Sequence, residues 1–352
     1  MGNGTIETKS IKTERINMSY LTAGDVDKQP LVLVHGNVSS SYFWMETIAA
    51  LKSEYRLLAP DMRGYGNTEA LPIDATRGVR DWSDDLKSFI DALSIKKPFP
   101  IVGWSLGGGI IMQYAIDHPE DISALILINS VSPYGFGSTK SVDGIPCNTS
   151  FSGAGAGSVN PEFLKLIKDG DEGEGSPNSP RNVMNQFYFK PPFKVGKEIE
   201  DMFVKSMIST KVGEGFYPGD FSACSEWPGV APGKGGINNA MSPNYMNTAA
   251  IVDIAKKVPI LWVRGENDMI VSDQSFFDFG FLGKSGFVPG WPGDDVYPPQ
   301  PMVSQTRYVL EMYKEKGGYY EEFVVKDSGH SPHIEKPEIF QNKLRSFLKN
   351  IH

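Results

Sequence analysis

The sequence has few of the features that mark exported, membrane-bound or nucleic-acid-binding proteins. It has only two cysteines in 352 residues, Cys147 and Cys224, which excludes a disulfide framework or a cysteine-rich metal site. No apolar run approaches the roughly 18 residues of a membrane-spanning helix, and the first twenty residues lack the apolar centre of a signal peptide. Lys and Arg number 34 against 42 Asp and Glu, a net charge of −8, so no basic excess is available for phosphate or anionic lipid. We therefore expect a cytoplasmic protein whose partner is a small molecule, with no nucleic acid and no membrane.

Glycine and proline, in contrast, are abundant. The chain has 37 glycines and 25 prolines, more than the roughly 12% that the two types contribute to an average protein. This excess predicts many tight turns and long loops. The apolar share of 40% and the charged share of 22% are those of a globular protein large enough to bury a core.

Strand-like and helix-like patterns alternate along the first part of the chain, as in a mostly parallel sheet covered by helices. Strands are predicted at residues 10–13, 17–22, 30–36, 56–60, 99–103 and 122–129, and helices at 41–53, 81–93 and 106–117. The pattern resumes with strands at 258–265 and 320–325 and helices at 306–316 and 337–349. The predicted fold is α/β, a twisted, mostly parallel sheet with helices on both faces.

Two insertions interrupt this alternation. Residues 134–250, after the sixth strand, carry glycine-rich loops and three weaker helical windows at 161–168, 180–187 and 197–210, which predict a cap over a core of residues 1–133 and 251–352. Residues 273–305, after the seventh strand, form a second insertion rich in phenylalanine. Its aromatic residues, including Phe276 and Phe287, either pack this insertion onto the sheet or favour an apolar, bulky or aromatic substrate group.

The sharpest local motif is Gly-Trp-Ser-Leu-Gly at residues 103–107, between an apolar strand and a helix. In this setting the G-x-S-x-G pattern predicts a sharp turn that projects the Ser105 hydroxyl from the sheet, and flanking glycines avoid clashes there. The structural alternative is a helix start with Ser105 as N-cap.

A serine nucleophile needs a base and an orienting carboxylate. Of five histidines, His35 ends a buried strand, His118 lies at a helix end and His352 at the end of the chain, which leaves His330 and His333 after the last strand. Gly329 gives the backbone freedom to orient His330, the preferred base, and His333 is the alternative. Asp268, after the seventh strand, is the preferred carboxylate, with Glu266 as the alternative.

Taken together, these motifs resemble the α/β-hydrolase fold superfamily over most of the chain outside the insertions. They are His-Gly-Asn at 35–37, Asp-Met-Arg-Gly-Tyr-Gly at 61–66, the serine motif at 103–107, Gly-Glu-Asn-Asp at 265–268, and Gly329-His330 followed by Glu335 and Pro337. The resemblance implies Ser105 as nucleophile, His330 as base and Asp268 as its partner. It also implies an oxyanion hole formed by the backbone N–H groups of Asn37 and Leu106. The proline common two residues after His-Gly is absent, so this loop is expected to differ locally.

Residues 35–37 and 42–44 also resemble haloalkane dehalogenases, and residues 61–66 resemble epoxide hydrolases. Those enzymes form an ester on an aspartate, whereas this chain has Ser105 at that position. We therefore expect a serine esterase or lactonase that cleaves an apolar carboxylic ester or lactone through an acyl-enzyme. The same triad would serve C–C bond or amide hydrolysis, and a ligand-binding receptor with little turnover is the alternative from another class. Trp104 is a candidate for the pocket, and nothing in the sequence points to a metal or an organic cofactor.

Overall fold

The alternating pattern folds into one eight-stranded sheet within residues 5–350, the part of the chain that the computed structural model describes. Its strands are β1 (Glu7–Lys12), β2 (Asn17–Ala23), β3 (Pro30–Val34), β4 (Arg56–Pro60), β5 (Phe99–Trp104), β6 (Ile122–Ile128), β7 (Ile260–Gly265) and β8 (Tyr320–Val325). The order across the sheet is β1-β2-β4-β3-β5-β6-β7-β8. The pairs β1/β2 and β2/β4 are antiparallel, and all others are parallel.

Helices cover this sheet on both sides. Every residue of β3 and of β5 is buried, and because successive side chains of a strand point to opposite faces, both faces must be covered. The helices are α1 (Met45–Leu51), α2 (Arg80–Ala92), α3 (Leu106–Asp117), α4 (Pro161–Asp169), α5 (Pro180–Val183), α6 (Lys197–Ile208), α7 (Ile237–Ala240), α8 (Phe279–Lys284), α9 (Met302–Glu315), α10 (Pro332–Glu335) and α11 (Pro337–Asn350). The predicted fold class is confirmed.

The predicted helix boundaries differ from the structure at three places. Residues 41–53 form a short 3₁₀ turn, Ser41–Trp44, before α1, and residues 180–187 form α5 followed by a π-helical turn, Met184–Tyr188. Helix α9 begins at Met302, inside the predicted second insertion. Asp273 stabilises this N-terminus of α9, because its Oδ1 accepts the N–H groups of Val303 and Ser304 at 2.8 and 3.1 Å. A carboxylate there satisfies first-turn amides that have no partner within the helix.

The region after β6 forms its own small elements. Its short strands pair only with one another within residues 5–350, Thr139–Lys140 with Ile145–Pro146, Val212–Gly213 with Tyr217–Pro218, and Phe221–Ala223 with Val230–Pro232. The division of the chain into a core and an inserted cap stays a prediction. His352 lies outside the described residues.

The second insertion packs against the first. Phe277 meets Phe187 edge-on with ring centroids 5.1 Å apart, and the buried Tyr297 donates its hydroxyl to the Ser152 carbonyl at 2.8 Å. Phe287 is 68% exposed. Phe277 and Tyr297 therefore contact the first insertion, and whether the aromatic residues of the second insertion pack onto the sheet or receive the substrate stays a prediction. No helix between residues 5 and 350 is both long enough and apolar enough to cross a bilayer.

Candidate active site

The candidate residues lie beyond the carboxyl ends of neighbouring parallel strands. Asn37 follows β3, Ser105 follows β5, Asp268 follows β7, and His330 follows β8. Strands β4 and β5 lie on opposite sides of β3, so the strand order reverses at β3. In open α/β sheets, ligands bind at such a reversal. The topology thus brings together residues that are more than 200 positions apart.

Ser105 occupies a backbone conformation that few residues adopt. Its φ is +57° and its ψ is −121°, and such conformations in non-glycine residues concentrate at functional sites. A side chain at Gly103 would place its Cβ 2.4 Å from the Gly107 carbonyl, and one at Gly107 would come 2.4 Å from the Val34 carbonyl. The flanking glycines are therefore required by space, as predicted. Ser105 occupies the N-cap position of α3, but its side chain makes no capping hydrogen bond to the helix, so capping does not account for a serine there.

His330 and Asp268 form a close pair. The Asp268 Oδ2 atom lies 2.8 Å from His330 Nδ1, and both side chains are buried. Asp268 Oδ1 accepts the N–H groups of Ile270 and Val271 at 2.8 and 3.1 Å, which fixes the carboxylate. With Nδ1–H donated to Asp268, the Nε2 atom of His330 is left with a lone pair that can accept a proton.

The alternative residues lie elsewhere. His333 is fully buried against Trp44 and Trp104, neither of its ring nitrogens has a partner among the described residues, and it does not line the cavity that holds Ser105. Burial lowers the pKa of His333 to about 3. Glu266 is exposed and accepts the Asp327 N–H at 3.4 Å. The structure therefore brings Asp268 and His330 together, and neither His333 nor Glu266 joins them.

His35 braces the neighbouring loop, as its position at a buried strand end predicts. Its Nε2 accepts the Met62 N–H at 3.0 Å, so Nδ1 carries the hydrogen and contacts the Gly36 carbonyl at 2.8 Å. Burial lowers the pKa of His35, which keeps the ring neutral and able to accept from Met62.

Two backbone N–H groups near Ser105 are free. Those of Asn37 and Leu106 donate to no other atom within the described part of the chain, and both residues line the same cavity as Ser105 and His330. The Leu106 N–H also lies at the first position of α3, where the partial positive charge of the helix favours an anion. This is the arrangement expected of an oxyanion hole, and its role stays a prediction.

The Asn37 loop departs from the common pattern at Val38. This residue has a φ of +46°, which proline cannot adopt because its ring fixes φ near −65°. The position that commonly holds proline is therefore folded differently here, as expected. The Asn37 side chain stabilises this geometry, since its Oδ1 accepts the Val38 N–H at 2.9 Å and the Tyr65 hydroxyl at 2.8 Å.

Tyr188 holds the same loop from the other side. The hydroxyl of this buried residue, from the π-helical turn, donates to the carbonyls of Asn37 and Val38 at 3.2 and 3.1 Å. Its ring meets Trp104 edge-on at 5.7 Å. Sequence reasoning missed Tyr188, because it lies about 150 positions from the loop that it supports and in no recognisable motif.

Two more residues order the loop that carries His330. The Asn129 amide donates to the Gly329 carbonyl at 3.0 Å and accepts the Gly265 N–H at 2.9 Å, joining the ends of β7 and β8. Glu335 Oε1 accepts the Gly329 N–H at 2.8 Å, and its Oε2 accepts the Lys190 N–H at 2.7 Å. Glu335 was part of a recognised motif, whereas Asn129 carried no signal in the sequence beyond its place at a strand end.

A cavity of about 620 Å³ opens over Ser105 and His330. Its walls combine residues around Ser105 with residues of both insertions, and many of the insertion residues are aromatic, including Phe136, Phe163, Phe187, Phe276, Phe277 and Phe279. Trp104 lines the cavity, and it also belongs to the buried core, with its Nε1–H donated to the His330 carbonyl at 2.8 Å. Its role in binding substrate stays a prediction. No Lys, Arg, Asp or Glu is among the described residues that line it.

Sequence comparison matches residues 29–144 to the alpha/beta hydrolase fold family. Human Epoxide hydrolase 4 is 36% identical over 124 residues, 35% of this chain and 34% of that protein. The 2-hydroxy-6-oxo-6-(2'-aminophenyl)hexa-2,4-dienoic acid hydrolase of Metapseudomonas resinovorans is 34% identical over 118 residues, 33% of this chain and 39% of that enzyme. The chain thus aligns with only about a third of the length of these relatives.

Solved structures match nearly the whole chain. A serine hydrolase from Cycloclasticus zankles superposes with a TM-score of 0.63 at 17% identity over 99% of both chains. The carboxylesterase CesB from Bacillus subtilis gives 0.59 at 17% identity, over 98% of this chain and 92% of that one. The chain has the α/β-hydrolase fold. At this identity the likeness establishes the fold alone, and the α/β-hydrolase fold hosts many chemistries.

One motif that resembles this fold family is structural here. Arg63 forms a paired ion contact with the buried Asp85, with Nε–Oδ2 and Nη2–Oδ1 distances of 2.7 and 2.8 Å. Asp61 accepts the N–H groups of Ser41 and Asn67 at 2.9 and 3.0 Å. In this α/β-hydrolase fold, residues 61–66 therefore fix the turn after β4, and neither Asp61 nor Arg63 lines the cavity.

Proposed function

We propose that this protein is a serine hydrolase that cleaves a carboxylic ester or lactone of an apolar, bulky small molecule through an acyl-enzyme. The observation that carries the proposal is the pairing of His330 Nδ1 with Asp268 Oδ2 at 2.8 Å beside a cavity that also contains Ser105. A histidine oriented in this way can activate a serine hydroxyl, which is a weak nucleophile by itself.

In the first half of the reaction, Ser105 Oγ attacks the substrate carbonyl carbon while His330 Nε2 takes the Oγ proton. The carbonyl oxygen becomes an oxyanion and accepts the N–H groups of Asn37 and Leu106, which have no other acceptor in the described chain. The tetrahedral intermediate then collapses, and the alcohol leaves with the proton that His330 returns. With a lactone, the alcohol remains attached to the acyl group.

In the second half, water replaces the alcohol. His330 takes a proton from this water as it attacks the acyl carbonyl, the same two N–H groups hold the new oxyanion, and the acid leaves as the proton returns to Ser105 Oγ. Asp268 stays ionised throughout and stabilises the charged imidazole.

The cavity supports the choice of substrate. Its aromatic walls favour apolar groups, and no cationic residue lines it within the described chain. A carboxylate-bearing substrate, such as the dienoic acid named for the Metapseudomonas relative, would enter without a counter-ion. The C–C bond hydrolase alternative is therefore less well supported than ester or lactone hydrolysis. Epoxide hydrolysis through an aspartate would require an acid where Ser105 lies.

The decisive experiment combines turnover with covalent labelling. We expect the wild type to hydrolyse p-nitrophenyl butyrate, and to gain the mass of one phosphonyl group from a fluorophosphonate probe. Ser105→Ala should lose labelling and ~10⁴-fold or more in kcat, by analogy with triad enzymes.

Ser285→Ala is the matched control, because Ser285 is exposed in the second insertion and does not line the cavity. It should keep both turnover and labelling. If Ser105→Ala retained more than a tenth of the wild-type rate, the assignment of the nucleophile would be wrong. A wild type that binds small molecules and hydrolyses no ester or lactone would indicate a receptor-like protein.

A further inference from the structure

Outside the proposed catalytic residues and oxyanion hole, two polar side-chain groups in the catalytic cavity have no hydrogen-bond partner within residues 5–350. They are the amide Nδ2 of Asn238, on α7, and the hydroxyl of Tyr217, in the short strand Tyr217–Pro218. Neither atom takes part in a hydrogen bond with a described residue, and neither is among the fully enclosed polar atoms, so both are open to the cavity. In a cavity with mainly apolar walls, such groups invite a ligand that can pair with them.

The orientation of the Asn238 amide is determined by its neighbour. Asn37 Oδ1 must accept, because the Val38 backbone N–H can only donate to it. Asn37 Nδ2 is therefore the donor in its 3.2 Å contact with Asn238, and Asn238 must present its oxygen. The Nδ2 of Asn238 is left free to donate. Asn238 is hydrogen-bonded to Asn37, and the backbone N–H of Asn37 is one of the two groups proposed to hold the oxyanion.

Tyr217 lines the same cavity as the Asn37 loop. It is 4% exposed and shares the cavity wall with Asn37, Val38 and Tyr188. The Ile237 N–H donates to the Phe216 carbonyl at 2.8 Å, which joins the segments that carry Tyr217 and Asn238. Burial raises the pKa of Tyr217, so its hydroxyl stays neutral and can donate or accept.

We propose that Tyr217 and Asn238 form a polar subsite that binds an uncharged oxygen of the substrate, a ketone, ether or hydroxyl, close to the scissile carbonyl. This inference rests on the proposed ester or lactone hydrolysis. It narrows the substrate class to apolar esters or lactones that carry a second oxygen near the reacting group. The absence of charged residues from the described cavity wall favours a neutral oxygen over a carboxylate or phosphate.

The test uses pairs of esters that differ by a single exchange of CH₂ for oxygen. On the acyl side, p-nitrophenyl pentanoate is compared with p-nitrophenyl 3-methoxypropanoate, and on the alcohol side butyl butyrate is compared with 2-methoxyethyl butyrate. The measured quantity is the ratio of kcat/KM within each pair. Comparing this ratio between wild type and variant cancels the intrinsic reactivity of the esters.

Two variants remove the subsite in different ways. Tyr217→Phe deletes only a hydroxyl that has no hydrogen-bond partner among the described residues, and Asn238→Asp removes the donor while keeping an oxygen for Asn37 Nδ2. In at least one pair of esters, each variant should lower the kcat/KM ratio that favours the oxygen-bearing ester about 5- to 10-fold. This is the size of effect expected from one hydrogen bond in a binding site, and it should appear mainly in KM. Tyr319→Phe, at an exposed tyrosine outside the cavity, is the matched control and should leave the ratio unchanged.

Calorimetric binding of the same esters to Ser105→Ala gives the comparison without turnover. If the wild type hydrolyses both members of each pair and all variants keep its ratios, the subsite is refuted and the proposed function stands. A second outcome is that the wild type hydrolyses none of the esters, yet Ser105→Ala binds the oxygen-bearing ester more tightly than its CH₂ counterpart and loses this difference when Tyr217 is also replaced. The subsite then stands and the proposed reaction is refuted. Equal binding of all four esters by Ser105→Ala and its Tyr217→Phe double variant would also overturn the subsite.

Discussion

Replacing Tyr188 with phenylalanine tests whether the first insertion helps to build the proposed oxyanion hole. The Tyr188 hydroxyl is shared between the carbonyls of Asn37 and Val38, at 3.2 and 3.1 Å. Both carbonyls lie in the backbone directly after the Asn37 N–H, which we expect to hold the oxyanion. A bond to them therefore helps to fix the position of that N–H group. The phenylalanine ring can keep the packing against Trp104 and Phe43, so the change removes the hydrogen bonds and little else.

The size of the effect follows from the strain in the loop. A non-glycine residue with a positive φ, such as Val38 at +46°, costs about 1–3 kcal/mol and persists only when its surroundings hold it. Loss of one buried hydrogen bond removes about 1 kcal/mol of that support. Complete loss of an oxyanion donor costs roughly 10²- to 10³-fold in kcat, which sets the upper limit. Because the loop keeps its bonds from Tyr65 and the Asn37 side chain, we expect the loss of about 1 kcal/mol of support to lower kcat about 5-fold.

The assay is steady-state hydrolysis of p-nitrophenyl butyrate, with kcat and KM measured separately. The decrease should lie in kcat, because the oxyanion forms only as the reaction proceeds. Tyr297→Phe is the matched control. Its hydroxyl makes a comparable buried bond to the Ser152 carbonyl at 2.8 Å, and the residue does not line the cavity.

Both variants should lower the melting temperature by similar amounts, and only Tyr188→Phe should lower kcat. A kcat for Tyr188→Phe within twofold of wild type would refute the argument that this hydroxyl positions the oxyanion loop. An equal loss of kcat in Tyr297→Phe would show that general destabilisation, and not the position of the Asn37 loop, limits the rate.

Two further predictions concern the histidines. Asp268→Asn should reduce kcat about 10⁴-fold. Oδ1 would still accept the N–H groups of Ile270 and Val271, so the new amide NH₂ would face His330 Nδ1 and favour the wrong tautomer of the histidine. Glu266→Gln, on the same loop, should keep the wild-type rate, and a similar loss of kcat there would contradict the assignment of Asp268. His333→Phe should make the free energy of unfolding less sensitive to acid. Burial lowers the pKa of His333 to about 3 in the folded wild type, whereas in the unfolded chain this histidine binds a proton below about pH 6.5. The wild type therefore loses stability as the pH falls. Between pH 7 and pH 5 this contribution is about 2 kcal/mol, measurable as the difference in denaturant-derived unfolding free energy between wild type and variant. An identical pH dependence in both proteins would show that His333 is protonated or accessible in the folded state.

The sequence by itself determined the framework of the site. Apolar runs such as β3 and β5, which are buried on both faces, can form only central strands of a covered sheet. The glycines at 103 and 107 were informative because no side chain fits beside Ser105. Residues immediately after predicted strands, such as Asp268 and His330, could be assigned because parallel strands bring their carboxyl ends to one edge.

Only the tertiary structure decided the wall and the supports of the cavity. Tyr188, Asn238 and Tyr217 come from short elements. The loop that Tyr188 and Asn238 contact lies about 150 to 200 positions away in the chain. Asn129 acts through contacts to two loops that meet only when β6, β7 and β8 are side by side. Sequence patterns report local periodicity and burial, whereas these hydrogen bonds depend on how distant segments approach each other. A candidate chemistry could therefore be proposed from the sequence, whereas the lining of the cavity became visible only in the folded chain.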